Sequence, residues 1–149
     1  MVEMDDRTKA LHAELQAIVG PGQIFIESET DRWSRDWTRQ FEWRPLAVVR
    51  PGNCGEVAAI PRLANQYRIP VVPIAGNTSL NGGTYGADSI LLSVERINKI
   101  REIRHDARLA IVEAGVIVAA LDSAVEQYGL TFPLSFGAAG SAMIGGVLS

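Results

Sequence analysis

Leu46-Ala47-Val48-Val49 is a continuous apolar run closed by Pro51-Gly52, the pattern of a short strand buried on both faces. Such a strand belongs in a parallel sheet covered by helices, and the next residues supply the helix. Asn53 stands three residues before Glu56 in a capping-box pattern, and Val57, Ile60, Ala64 and Tyr67 form an apolar stripe at helical spacing. Pro61 falls inside that helix, where it removes a backbone donor, so a kink or a break is predicted there. Val71-Val72 then predicts a second strand, joined to the first by a right-handed parallel crossover. Units of this kind bind ligands at the carboxyl ends of their strands.

At that end lies Pro73-Ile74-Ala75-Gly76-Asn77-Thr78-Ser79-Leu80-Asn81-Gly82-Gly83. Small side chains leave the backbone N–H groups uncovered, so an anionic group can approach them closely. Two familiar phosphate loops do not match. Gly76, Gly82 and Gly83 lack the G-x-G-x-x-G spacing, and Gly83 is followed by Thr84-Tyr85 rather than by Lys and a hydroxyl residue. By itself the stretch reads either as a phosphate cradle or as a Gly/Asn-rich turn between strands. Phe132-Pro133-Leu134-Ser135-Phe136-Gly137-Ala138-Ala139-Gly140-Ser141-Ala142-Met143-Ile144-Gly145-Gly146 repeats the design, with a proline, small residues and a glycine pair.

The remaining elements follow from periodicity. Leu11, Leu15, Ile18 and Val19 predict a helix over 5–19, with Asp5 and Asp6 at its positive end and Gly20-Pro21-Gly22 as its stop. Ile24-Phe25-Ile26 is a short extended run, and Trp33 and Trp37 are spaced as one helical turn pinned to a core. Ser89–Ser93 predicts a strand, and Lys99–His105 with Leu109–Ala114 a hairpin turning at His105-Asp106-Ala107-Arg108. Val118, Leu121, Val125 and Tyr128 mark a final helix ending at Gly129. A soft division between an α/β lobe and a β-richer lobe is placed near residue 84.

With 47% hydrophobic and 21% charged residues the chain reads as a soluble globular protein, and no apolar run reaches the length of a membrane span. A net charge of −3 without a dense Lys/Arg block argues against a nucleic-acid surface, so an anionic ligand must be held by oriented amides. The lone Cys54 excludes an internal disulfide or a cysteine metal cluster and reads as inert; His12 and His105 read as solvated surface residues. The N-terminus is not signal-like, so a cytoplasmic location is expected. The apolar, glycine-rich ending Ile144–Ser149 reads as a piece of a longer protein.

Two such loops flanking strand-rich sequence resemble the FAD-binding domain of the p-cresol methylhydroxylase and vanillyl-alcohol oxidase superfamily. GNTSLNGG paired with PLSFGAAGSAMIGG is most similar to the branch of D-2-hydroxyglutarate dehydrogenase, D-lactate dehydrogenase and glycolate oxidase. The resemblance covers about residues 31 to 149. It implies an α+β fold of two small α/β lobes, with residues 1–44 an N-terminal helical segment and 45–149 an incomplete FAD-binding domain. It assigns FAD rather than another phosphate ligand. FAD would contact Pro73, Ala75, Gly76, Asn77, Thr78, Ser79, Leu80, Gly82 and Gly83 on the first loop and Pro133, Leu134, Ser141, Ile144, Gly145 and Gly146 on the second. Leu134, Met143 and Ile144 would be apolar walls.

Some members bind flavin covalently through a His in the first loop; this loop has neither His nor Cys, so FAD is expected to be non-covalent. The sequence departs from the family at Ile74 and Ala75, at Ser135 where Asp is common and at Val147 where Asn is common, and a positive φ at Ala75 would strain it. The implied activity is oxidation of a D-2-hydroxy acid (2-hydroxyglutarate, lactate or glycolate type) by hydride transfer to flavin N5, with an unidentified electron acceptor. Substrate and any metal ligands would lie beyond residue 149, so this chain is expected to hold no catalytic residue and to be inactive alone. The alternative is a non-catalytic phosphate-ligand or interaction module that has lost its flavin.

Overall fold

A computed structural model describes residues 6–149 and shows two sheets, each with its own core. The first sheet is built from β1 (Ile24–Phe25), β2 (Ala47–Val49), β3 (Val71–Ile74) and β4 (Ile90–Ser93) in the order β1-β2-β4-β3. β2 and β3 both pair with β4 in parallel, and β1 adds an antiparallel edge. The predicted crossover therefore joins β2 to β3 within one parallel sheet, but β4 lies between them. Every residue of β2 and β4 is buried, whereas the edge strand β3 is only partly covered.

Alternation along the two central strands sorts their side chains between the faces. Ala47, Val49, Ile90 and Leu92 pack with Leu11, Leu15 and Val19 of α1 (Asp6–Val19) and with Ile60, Leu63 and Ala64 of α2 (Cys54–Tyr67). Val48 and Leu91 face the other way, onto Trp33 and Ile74. The predicted N-terminal helix begins at Asp6 within the described residues; Asp5 lies outside them. α1 and β1 pack into the first core through Leu11, Leu15, Val19 and Ile24.

Asn53 caps α2 by accepting the Glu56 N–H at 3.0 Å, while Glu56 accepts the Gly52 N–H at 2.7 Å. The helix runs unbroken through Pro61, which sits on its exposed side where water can serve the Val57 carbonyl that a proline cannot reach. Trp33 ends a 3-10 helix (Glu27–Trp33) and is buried, but Trp37 is beyond that helix and 73% exposed, so the two do not share a turn. Glu95 fixes the 3-10 helix to the sheet: it accepts from Trp33 Nε1 at 3.2 Å and Arg32 at 2.8 Å, and faces Arg50 at 3.3 Å.

β5 (Ile100–Arg104) and β6 (Leu109–Val112) form the predicted hairpin. Ile100 and Ile103 are three residues apart, an odd spacing for one strand face, and a register shift between Ile100 and Glu102 brings both into the second core. That core is closed by α3 (Val118–Glu126) and by Ala142 and Ile144, the latter opening the short α4 (Ile144–Val147). Tyr128 lies past α3 and stacks on the exposed His105 ring at 4.9 Å instead of joining the helix stripe. His12 is half-buried, with Nε2 enclosed and unpartnered, rather than solvated. Since β4 belongs to the first sheet, the change of layer falls after Ser93 and not near residue 84. Among the described residues no helix is long and apolar enough to cross a membrane, and no cluster of His, Cys, Asp or Glu could hold a metal ion.

Candidate cofactor site

The first glycine-rich loop leaves the carboxyl end of β3 and faces the segment that ends in α4 across a cleft of about 730 Å³. That is the size range of a small-molecule site. Pro73, Ala75, Gly76, Asn77, Thr78, Ser79 and Gly83 line one side, and Gly145 and Gly146 the other. The two bends, far apart in sequence, therefore share one cavity.

Their roles differ. None of the main-chain N–H groups of Ala75, Gly76, Asn77, Thr78 and Ser79 donates a hydrogen bond within the described chain. In the second bend the donors expected from the sequence are already engaged: Ser141 N–H bonds to Ala138, Gly145 to Ala114, Gly146 to Met143 and Leu134 to Phe132, all at 2.8–3.0 Å. Pro133 has no N–H to offer. The first loop thus offers a continuous run of undonated amides; on the second bend, among the cleft-lining residues, only Phe136 and Met143 keep an undonated N–H, and the side chains of Met143, Val147, Ala142 and Phe136 form an apolar wall.

Several of the expected contacts lie elsewhere. Leu80 is exposed on the outside of the loop, and Gly82 packs on the Phe41 ring. Pro133 and Leu134 are exposed away from the cleft, and Ile144 is buried in the second core. Ser141 is joined to the site through its backbone alone. A Cβ built on Gly76 would lie 2.2 Å from the Ser141 carbonyl oxygen and 3.1 Å from Ala142 Cα. The missing side chain at residue 76 therefore makes room for the opposite bend, which is a different reason for glycine than the approach of a phosphate.

Apart from Gly82, the left-handed residue of the loop is Asn77, at φ 50°, and Ala75 has no positive φ, so the expected strain at Ala75 does not arise. Asparagine tolerates that conformation, and its side chain is tied at both ends. Asn77 Nδ2 donates to the Arg35 carbonyl at 2.8 Å, and Oδ1 accepts from the Thr84 hydroxyl at 2.9 Å. Ser79 Oγ accepts from Gly83 N–H at 3.2 Å and donates to Asn81 Oδ1 at 2.7 Å, closing the loop on itself. Val94, Ala114 and Thr84 also line the cleft without having been singled out. Their signals, an apolar residue just past β4, a small one shortly after β6 and a hydroxyl directly after the glycine pair, are too common to read as site residues alone.

Among the described residues no Lys, Arg, Asp, Glu, His, Cys or Tyr lines the cleft. Bound negative charge would be met by backbone dipoles and hydroxyls, and no side chain there is suited to acid–base or nucleophilic work. Just outside, Glu113 anchors the base of the hairpin. The Lys99 N–H at 2.8 Å and the Arg101 guanidinium at 2.8 Å hold its carboxyl below the usual carboxylate range.

Residues 45–149 match the model of the FAD binding domain family. The D-2-hydroxyglutarate dehydrogenase of Stutzerimonas stutzeri is 34% identical over 92% of this chain and 30% of its own length. Glycolate oxidase subunit GlcD of Bacillus subtilis is 34% identical over 85% of the chain and 27% of its own. The chain thus spans less than a third of the length of either relative. A crystal structure of p-cresol methylhydroxylase with substrate bound superposes with a TM-score of 0.78 over 94% of this chain and 28% of that one, at 20% identity, and so shares the fold.

Proposed function

This chain belongs to the FAD-binding domain family, and from that membership we propose that it is the cofactor-holding part of a flavin-dependent oxidoreductase acting on a D-2-hydroxy acid. The observation that carries the reading is the run of undonated amides from Ala75 to Ser79, all in residues that line an uncharged cleft of about 730 Å³. These residues fit a pyrophosphate, which needs several converging donors and little side-chain bulk. The backbone of Ala75, Gly76, Asn77, Thr78 and Ser79 would hold it, with the Thr78 hydroxyl in support. Met143, Val147 and Phe136 would exclude water from the apolar part of the cofactor.

When bound, FAD supplies the redox chemistry as acceptor of a hydride from the hydroxy acid's α-carbon. The residues of this chain bind and orient it; none of them moves a proton, and a base and a carboxylate anchor would come from the rest of a longer protein. Among the described residues no His or Cys lines the cleft, so the contacts this segment would make to the flavin are non-covalent.

Two measurements test this. Incubation with FAD followed by gel filtration is expected to leave flavin absorbance with the protein, released on denaturation, and saturating FAD is expected to raise Tm by mass action. A colourless protein with an unmoved Tm would refute flavin binding. For the activity, a longer protein containing this segment is to be assayed with D-2-hydroxyglutarate, D-lactate and glycolate and a dye acceptor; turnover of none of the three would refute the substrate class.

A further inference from the structure

We propose that residues 35–42 form a clasp that holds the first glycine-rich loop in its ligand-ready shape, and that Asp36 is the positioning residue of that clasp. The proposal deepens the flavin reading above and rests on it for the identity of the ligand.

The clasp touches the loop at three places along its length. The Arg35 carbonyl accepts from Asn77 Nδ2 at 2.8 Å, and the Trp37 N–H donates to the Ser79 carbonyl at 3.3 Å. Farther along, the Phe41 ring packs on Gly82, so closely that a Cβ there would lie 3.0 Å from Phe41 Cδ2. Two of these contacts fall within the run of undonated amides, at Asn77 and Ser79, and the third lies just beyond it. A stretch whose amides make no hydrogen bonds of their own between residues 75 and 79 must be ordered from outside, and ordering it beforehand lowers the entropy cost of binding.

The clasp is itself organised by one carboxylate. Arg35 and Glu42 form an antiparallel bridge, and Trp43 N–H bonds to the Ser34 carbonyl at 2.9 Å. Between them Asp36, only 3% exposed, accepts from the Thr38 hydroxyl and from Phe41 N–H at 3.2 Å, while its own N–H donates to the Phe41 carbonyl at 3.2 Å. Burial pushes the Asp36 carboxyl up, and the bonds from Thr38, Phe41 and Gln40 outweigh it and hold it below the usual range. Removing that carboxylate unties Phe41 and the turn, and with them the far end of the loop. All of these residues precede the stretch matched by the family model.

The test compares Asp36→Ala, Asp36→Asn and Thr38→Val with the unaltered chain, using backbone NMR order parameters without flavin and FAD titration. In Asp36→Ala the order parameters of residues 75–80 are expected to fall from rigid values of about 0.85 to below about 0.6, with β5 and β6 unchanged. The FAD Kd is expected to rise about tenfold or more, as for loss of a charged hydrogen-bond partner, with smaller effects for Asp36→Asn. Thr38→Val, which keeps the carboxylate and Phe41 bond, gives a graded version should Asp36→Ala fail to fold. Leu15→Ala, a core substitution remote from the loop, is the control and should lower global stability while leaving loop order and Kd in place. Unchanged loop order in the clasp variants, or disorder of the loop with unchanged FAD affinity, would overturn the proposal. Failure of the unaltered chain to bind FAD would instead remove the flavin reading, and the order parameters would still decide whether residues 35–42 hold the loop.

Discussion

Gly76→Ala adds one methyl group at the point where the two bends meet. Its Cβ would be 2.2 Å from the Ser141 carbonyl oxygen, inside the 3.0 Å that real Cβ atoms observe, and the obstacle is main chain rather than a side chain that can swing away. The Ser141 segment is in turn held by its bonds to Ala138 and by Ala142 in the second core, so it cannot retreat freely. Relief therefore requires the bends to separate by about 1 Å, and overpacking of this kind costs about 1–3 kcal/mol. For a chain of this size that is a loss of roughly 3–10 °C in Tm. Because Gly76 lies among the undonated amides, the same movement misplaces the donors. Displacements of about 1 Å can cost up to 10²-fold where geometry matters, so FAD affinity is expected to fall at least tenfold. Thermal unfolding and FAD titration read the two effects separately. Gly140→Ala is the matched control: nothing lies within 4 Å of its Cβ and its φ is not positive, so it should be neutral or slightly stabilising. A Gly76→Ala protein with the Tm and FAD affinity of the parent would refute the apposition of the two bends.

Three further outcomes are expected. Pro61→Ala should stabilise the chain by about 1 kcal/mol or more in urea unfolding, since it restores the donor missing from an unbroken helix at an exposed position. Glu95→Ala should cost about 1–3 kcal/mol in the same assay, because Trp33, Arg32 and Arg50 lose a shared partner that is largely enclosed. The Asp122 carboxyl is held below its ordinary value by the Phe132 N–H at 2.7 Å and the Thr131 hydroxyl at 2.8 Å. A carboxyl lower in the folded than in the unfolded chain stabilises the fold above the unfolded pKa of about 4 and loses that contribution as pH falls through the folded value. Tm should therefore decline as pH drops from about 5 towards 3, and Asp122→Asn should flatten that decline; an unchanged acid limb would show that Asp122 does not contribute.

Local chemistry made most of the elements readable. β2 and β4 are uninterrupted apolar runs, Asn53 and Glu56 announce the start of α2, and the apolar spacing of Leu11, Leu15 and Val19 marks α1. The first loop was legible because a strand ending in small residues leaves amides uncovered, whatever surrounds it. Misreadings arose where a distant partner decided. Trp37 shares helical spacing with Trp33, yet the chain leaves the 3-10 helix at Ser34 and the Trp37 N–H goes to Ser79. The second bend repeats the proline, small residues and glycine pair of the first, but Ala114, Ala138 and Met143 take the donors of Gly145, Ser141 and Gly146, and Ile144 is drawn into the core.

By itself the sequence determined most of the elements, the uncharged character of the loops and the family resemblance, because periodicity, capping and residue size act within a few positions of the chain. Only the tertiary structure decided that β4 separates β2 from β3, that the glycine pair of the second bend is not a donor, and that residues 35–42 brace the first loop. Those outcomes depend on which backbone groups find partners tens of residues away, and whether an amide is free for a ligand is known only when every competing acceptor has its place in space.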